Sequence, residues 1–330
     1  MVALAALTAA LIVRPDTGPL LARETGREEI PPRPEAAELA LRSYDVAILG
    51  ETVLAAATAG LVAWDISDRA APKVAATLLF PGSGTALAVE DGRAYLSLGP
   101  DGLRIIDVRE PRRPLLLGRL DTDGSVNMFA PAGRYGYLAD GVMGIAVVEI
   151  SDPARPREVG RIDTGGYARA IAVEGRTLAV ADEEEGVRFF SLADPALPRQ
   201  VAVVKVPGAP RGIALKGGLA FVAAGPGGLI ILEAADAASA RQVGLLPAKD
   251  AVRGVAVEGT HAYIADSHAG IRVVEISAPS APREVGSVAT SAPFNRVAVR
   301  GGLLAAAEDS AGLRLIDVSD PARPALQKKR

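Results

Sequence analysis

One pattern of apolar and polar positions recurs along the chain. A glycine is followed by an apolar residue and then by an alternation that ends, in most units, in a carboxylate. It reads GLVAWDISD from Gly60, GLRIIDVRE from Gly102, GIAVVEISD from Gly144 and GVRFFSLAD from Gly186. It returns as GLIILEAAD from Gly228, GIRVVEISA from Gly270 and GLRLIDVSD from Gly312. Successive glycines are 42 residues apart at every step. The runs between them are short, rich in Val, Ile, Ala and Tyr, and bounded by Gly, Asp and Pro, which is the pattern of strands and turns. After position 45 no stretch long enough for a helix carries a helical period.

Each unit predicts four strands. In the sixth they are 253–257 (strand A), 262–265 (B), 271–276 (C) and 283–288 (D), joined by turns short enough to force antiparallel neighbours. A single four-stranded sheet of this size cannot bury both of its faces. Packing against identical neighbours around an axis does bury them and leaves only short edges. The expectation is therefore an all-β, seven-bladed β-propeller of four antiparallel strands per blade, spanning 37–330 as one domain. Strand A would line a central channel. Fourteen residues before each glycine stand Val46, Ala88, Ala130, Ala172, Ala214, Ala256 and Ala298, the small side chains that crowding toward an axis requires.

The last unit, from Asn295 to the end, is shorter than one period, and its outer strand would be 325–330 (ALQKKR). Residues 37–42, with the strand-like ELALR, are expected to run beside the seventh blade or close the ring against it. Val2–Val13 has the length of the apolar region of a secretory signal peptide but lacks its basic flank, so it predicts either export or an apolar N-terminal segment over 1–13. Residues 14–36, rich in Pro, Gly and charge, read as a flexible linker.

Segments such as GLRIIDVREPRRP, GIAVVEISDPARP and GLRLIDVSDPARP resemble the LVIVD repeat family over residues 43–330. Departures are Asp68-Arg69 in place of Asp-Pro in the first unit, Ser191 in place of the carboxylate in the fourth, and a turn without Pro in the fifth. The resemblance implies a β-propeller that is commonly exported or surface-associated, and it implies no catalytic activity.

Composition narrows the chemistry. Lys+Arg number 36 against 39 Asp+Glu, so no basic excess points to nucleic acid. There is no Cys, and His261 and His268 are the only histidines, which removes disulfides, thiolate sites and multi-histidine metal centres. Neither a metal nor a cofactor is expected. The run Glu183-Glu184-Glu185 lacks the alternation and the Gly bend of a calcium loop. Aromatic residues, at 4%, give no support to the stacking platforms that carbohydrate or single-strand nucleic-acid binding usually needs. No apolar run reaches the about 18 residues of a membrane span.

Six units carry the strand C carboxylate (Asp65, Asp107, Glu149, Glu233, Glu275, Asp317), and a group repeated around a ring points to structure rather than to one active site. The Ser-Asp-Pro turns at 151–153 and 319–321 read as structural too. Two other positions open on one face near the channel mouth. Seventeen residues before each glycine, where strand A begins, stand Ser43, Thr85, Asn127, Arg169, Arg211, Arg253 and Asn295. Four residues before the glycine stand Asp140, Asp182, Asp266 and Glu308, with Ala or Leu in the other units. These residues predict either an inter-blade ring of Arg–Asp ion pairs that fixes registry, or a polar ring that binds a ligand or peptide. Three consecutive arginines would favour an anionic, carboxylate-bearing group, which the guanidinium fork matches. The leading expectation is a non-enzymatic, monomeric binding scaffold for a protein or a small anionic ligand, located in the periplasm, secreted or at the cell surface, with a cytoplasmic location left open. The alternative is a hydrolase or lyase at the channel mouth, using Arg169, Arg211, Arg253, Asp182 and Asp266. A Ser-His-carboxylate triad could form only around His268, and no GxSxG elbow is present to supply it.

Overall fold

The computed structural model describes residues 11–14, 18–21, 42–290, 292–308 and 312–327. Seven antiparallel sheets of four strands stand in a ring, each built from consecutive strands of one 42-residue unit. Inner strands of neighbouring blades lie side by side all the way round, Phe294–Arg300 of blade seven meeting Ser43–Leu49 of blade one. Most residues fourteen before the marker glycine are half-buried, as small side chains facing a narrow axial channel are.

The recurrent glycine is explained by two constraints acting together. All seven marker glycines have positive φ, as at Gly144 with φ 74°. A Cβ on Gly144 would also lie 2.2 Å from the Ile162 carbonyl oxygen on strand D. The glycine thus lets strand C begin directly under the end of strand D.

Strands B and C are buried almost throughout, and the outer strands are the wet ones. The apolar clusters lie between blades. One joins blades four and five through Ala181, Phe189, Val222 and Ile230, and another joins blades seven and one through Val46, Val53, Leu304's neighbours Leu303 and Ala305, and Leu315. A buried Val, Leu or Phe contributes about 1.5–3 kcal/mol, so every blade depends on both neighbours. This is the cooperative arrangement that the equal repeat predicts.

Most strand C carboxylates and the Asp of the C–D turn act locally, while Asp65 also takes Arg112 of the next blade (2.8 Å). Asp317 accepts from the Ser319 amide (3.0 Å) and Asp152 from the Ala154 amide (3.0 Å). Blade five, without Pro, closes the same turn through Asp236, which accepts from the Ala238 amide (3.1 Å) at the head of a short 3-10 turn.

The outermost strand of blade seven is its own Ala325–Leu326, paired with Asp317 and Ile316. Apart from Arg42, the segment 37–42 expected at this seam lies outside the described residues. So do most of the expected linker 14–36 and residues 1–10. Leu11–Arg14 and Gly18–Leu21 form a hairpin that adds to the outer edge of blade one through Leu79. Among the described residues no helix is long and apolar enough to cross a membrane.

Candidate functional site

Antiparallel pairing brings the start of strand A beside the end of strand B. Ala168 faces Asp182, and Phe294 faces Glu308. The two expected ring positions therefore share one rim of the propeller.

They do not form the expected inter-blade Arg–Asp ring. The four acids are buried to within 1% and are held inside their own blades. Asp140 accepts from Arg161 Nη1 (2.8 Å) and Thr122 Oγ1 (3.0 Å). Asp182 accepts from Arg188 Nε (3.4 Å) and the Glu184 amide (3.2 Å). Asp266 accepts from Arg272 Nη1 (2.7 Å) and the amides of Lys249 (2.8 Å) and Asp250 (3.1 Å). Glu308 pairs with Arg314 Nε. The physical reason is reach. An arginine two residues after the marker glycine lies across the B–C pair from the acid four residues before it, much closer than the next blade. That signal was present in the repeat: Arg104, Arg188, Arg272 and Arg314 occupy this position, and three of those blades carry the acid. In blade three, where Ala146 stands there, Arg161 of strand D substitutes.

The residues at the start of strand A instead bridge blades by hydrogen bonds. Thr85 Oγ1 donates to the Val126 carbonyl (2.8 Å) and Asn127 Nδ2 to the Ala168 carbonyl (3.0 Å). Arg253 Nη1 donates to Asn295 Oδ1 (3.1 Å), and Asn295 Nδ2 to the Ser43 carbonyl (3.4 Å). Arg169 stacks over the Tyr167 ring and lies 3.6 Å from Glu183. Arg211 is exposed, and among the described residues no carboxylate pairs with it or with Arg253.

Two residues that break the repeat complete the rim, and the sequence reading missed both. Arg296 stands sixteen before its glycine, where the other blades have Tyr44, Ala86, Met128, Ala170, Gly212 and Gly254. Asp45 stands fifteen before, where every other blade has an apolar residue. Arg296 Nη2 donates to the Arg211 carbonyl (2.9 Å), two blades away. Asp45 is buried and accepts from the amides of Val46 (2.9 Å) and Leu87 (3.0 Å). Burial raises its pKa, while the Arg296 charge and the two amides pull it back. Water reaches Arg296, yet protein surrounds it, as it would inside a narrow channel. Desolvation lowers its pKa, with Asp45 opposing and Arg169 adding to the effect.

A Ser-His-carboxylate relay around His268 does not assemble. Ser267 Oγ (3.4 Å) and Asp250 Oδ2 (3.0 Å) both approach Nδ1 of His268, whereas a proton relay needs opposite ring nitrogens.

Fold and rim together define a β-propeller repeat protein. The LVIVD repeat matches residues 81–122, 123–164, 207–239, 250–290 and 295–329, more than half of the chain, and the chain belongs to that family. Blades one and four fall outside the matched segments, yet each has its full set of four strands, blade one with the added hairpin at its outer edge. The computationally designed Ika8 protein, seen in a crystal structure, is similar at 11% identity and TM-score 0.61, over 88% of this chain and 86% of its own. A chain in the crystal structure of the Mitotic Checkpoint Complex is similar at 14% identity and TM-score 0.69, over 90% of this chain and 96% of its own. These likenesses are of fold. No curated protein matches the chain.

Proposed function

We propose that this protein is a non-enzymatic binding scaffold whose recognition surface is the rim bearing Arg169, Arg211 and Arg253, and that it recognises an anionic, carboxylate-bearing group. One observation carries the reading. The buried acids of the rim are committed to arginines of their own blades, so they do not neutralise the arginines at the channel mouth. Among the described residues Arg211 and Arg253 have no carboxylate partner and Arg169 has only the loosely held Glu183 at 3.6 Å, so their charge is left to meet a ligand, and a guanidinium fork suits an oxyanion.

Calorimetric titration of citrate at low ionic strength tests it, since screening weakens exposed charges. Replacing Arg169, Arg211 and Arg253 together by Gln is expected to remove binding and leave the melting temperature in place. Loss of stability would assign the arginines to blade registry, and unchanged binding would overturn the reading.

Export belongs to the same reading and rests on the apolar run Val2–Val13. Mass spectrometry of the mature N-terminus in cells tests it, a start at Met1 or Val2 counting against secretion. Cleavage after Val13 would also detach most of Leu11–Arg14 from blade one, so the same measurement shows whether that strand belongs to the mature protein.

A further inference from the structure

The rim has a centre as well as a circumference. The inner strand of blade seven carries a bulge between Phe294 and Val297, an extra residue that re-aims the side chains within it. Arg296 lies in this bulge. Its side chain passes over blade six and reaches the Arg211 carbonyl of blade five. Two glycines make the crossing possible. A Cβ on Gly254 would meet Arg296 Cα at 3.0 Å, and one on Gly212 would meet Arg296 Nη1 at 3.0 Å. The blades it crosses are thus the ones that lack a side chain sixteen residues before the marker glycine.

The guanidinium so placed is poorly matched by the protein. Among the described residues one hydrogen bond, to a neutral carbonyl, holds it, and no carboxylate lies within ion-pair distance. Among the described residues Asp45 is the acid whose charge acts on it, and its two oxygens already accept from backbone amides. Arg169 adds a like charge from blade four. A desolvated cation with donors to spare, beside further arginines, has the composition of an oxyanion site.

We propose that Arg296 is the principal ligand of a small oxyanion, carboxylate or phosphate, held on the channel axis, with Arg169 and Arg211 as flanking charges. The proposal rests on the binding role of the rim and places the anion inside the ring rather than upon it. Arg296 would turn from the Arg211 carbonyl toward the ligand and exchange a neutral acceptor for a charged one.

The test titrates the full chain with inorganic phosphate and, separately, with citrate at low ionic strength, comparing wild type, R296Q, R296K and the Arg169/Arg211/Arg253→Gln triple variant. R296Q is expected to bind roughly 10–100-fold more weakly, the loss of one charge-assisted pair. R296K should fall between, because it keeps the charge and loses the fork. The anion bound more tightly by wild type identifies the oxyanion class. Full-strength binding by R296Q overturns the proposal. If R296Q does not fold, full-strength binding by R296K overturns it. Wild type that binds neither anion also overturns it. If the triple variant loses binding while R296Q keeps it, the rim reading stands and Arg296 is not the ligand. If R296Q loses binding while the triple variant keeps it, Arg296 stands and the rim reading falls.

Discussion

The side-chain amide of Asn295 donates to the carbonyl of Ser43 at 3.4 Å, across a junction that no peptide bond spans. On the opposite face Arg300 Nη1 donates to the Ile48 carbonyl, also at 3.4 Å. Both contacts join residues 252 positions apart, six whole periods. Links of the same kind, to the carbonyl one position earlier, join blades that are continuous in sequence, such as Asn127 to the Ala168 carbonyl and Lys216 to the Val257 carbonyl. The ring therefore closes by using its ordinary inter-blade contacts once more, together with the shared core of blades seven and one.

This closure makes an asymmetric prediction. Asn127→Ala and Asn295→Ala each delete one donated bond across a junction, worth about 0.5–1.5 kcal/mol, and one accepted bond, from Tyr167 Oη (3.5 Å) and from Arg253 Nη1 (3.1 Å) respectively. At the interior junction the chain itself keeps the blades adjacent. At the seam only non-covalent contacts do. Asn295→Ala should therefore lower the urea midpoint more than Asn127→Ala and speed amide exchange in blades one and seven. Equal effects at the two junctions would contradict a weaker seam.

The buried pair Asp266–Arg272 predicts a large loss on breakage. Arg272 is 3% exposed and also reaches Glu284 and the Pro247 carbonyl. Asp266→Ala would leave that buried guanidinium with Glu284 alone to balance its charge among the described residues, and would strand the amides of Lys249 and Asp250. The expected cost is about 3–5 kcal/mol by denaturant unfolding. The exposed pair Arg241–Glu233 is the control, and Glu233→Ala should cost no more than about 1 kcal/mol.

The glycine landmarks predict a contrast between two positions with the same backbone hand. Gly175 has φ 58° and nothing within 4 Å of an added Cβ, so Gly175→Ala should cost only the left-handed strain, about 1–2 kcal/mol. At Gly144 the added methyl also meets the Ile162 carbonyl at 2.2 Å and must push strand D away. Gly144→Ala should cost about 2–5 kcal/mol, strain plus overpacking, and lower the melting temperature clearly more.

These contrasts also show which features were legible in the sequence. The number of blades and the strands in each were, because every blade meets the same two neighbours and selection for that contact repeats every 42 residues. The C–D turn was legible at Asp152 and less so at blade five, where Asp236 alone suffices and the missing Pro is of no consequence. The rim acids were found, but their partners were misassigned. An expectation built from one position per blade overlooked the closer arginine on strand C. Arg296 and Asp45 were missed for the opposite reason. A search for what repeats passes over residues that occur once, and Arg296 acts two blades away, across an axis that no sequence interval marks.

Asp45 offers a pH signature that separates burial from simple charge removal. Its pKa is raised by burial, so the folded protein holds this proton to a higher pH than the unfolded chain, whose carboxyl titrates near 3.8. Below that value both states are protonated and Asp45 carries no penalty. As pH rises above it, the unfolded state releases the proton first, and stability falls until the folded state has released it too. Asp45→Asn removes this linkage while leaving one oxygen to accept from Leu87 or Val46. The stability of Asp45→Asn relative to wild type should therefore be lowest near pH 3.8, climb with rising pH, and level off above the folded-state pKa. Urea unfolding of both proteins across that range reads the difference directly. A constant difference at every pH would mean that Asp45 titrates as an ordinary solvated carboxylate, and a falling one would mean that Arg296 holds it ionised more strongly than burial opposes it.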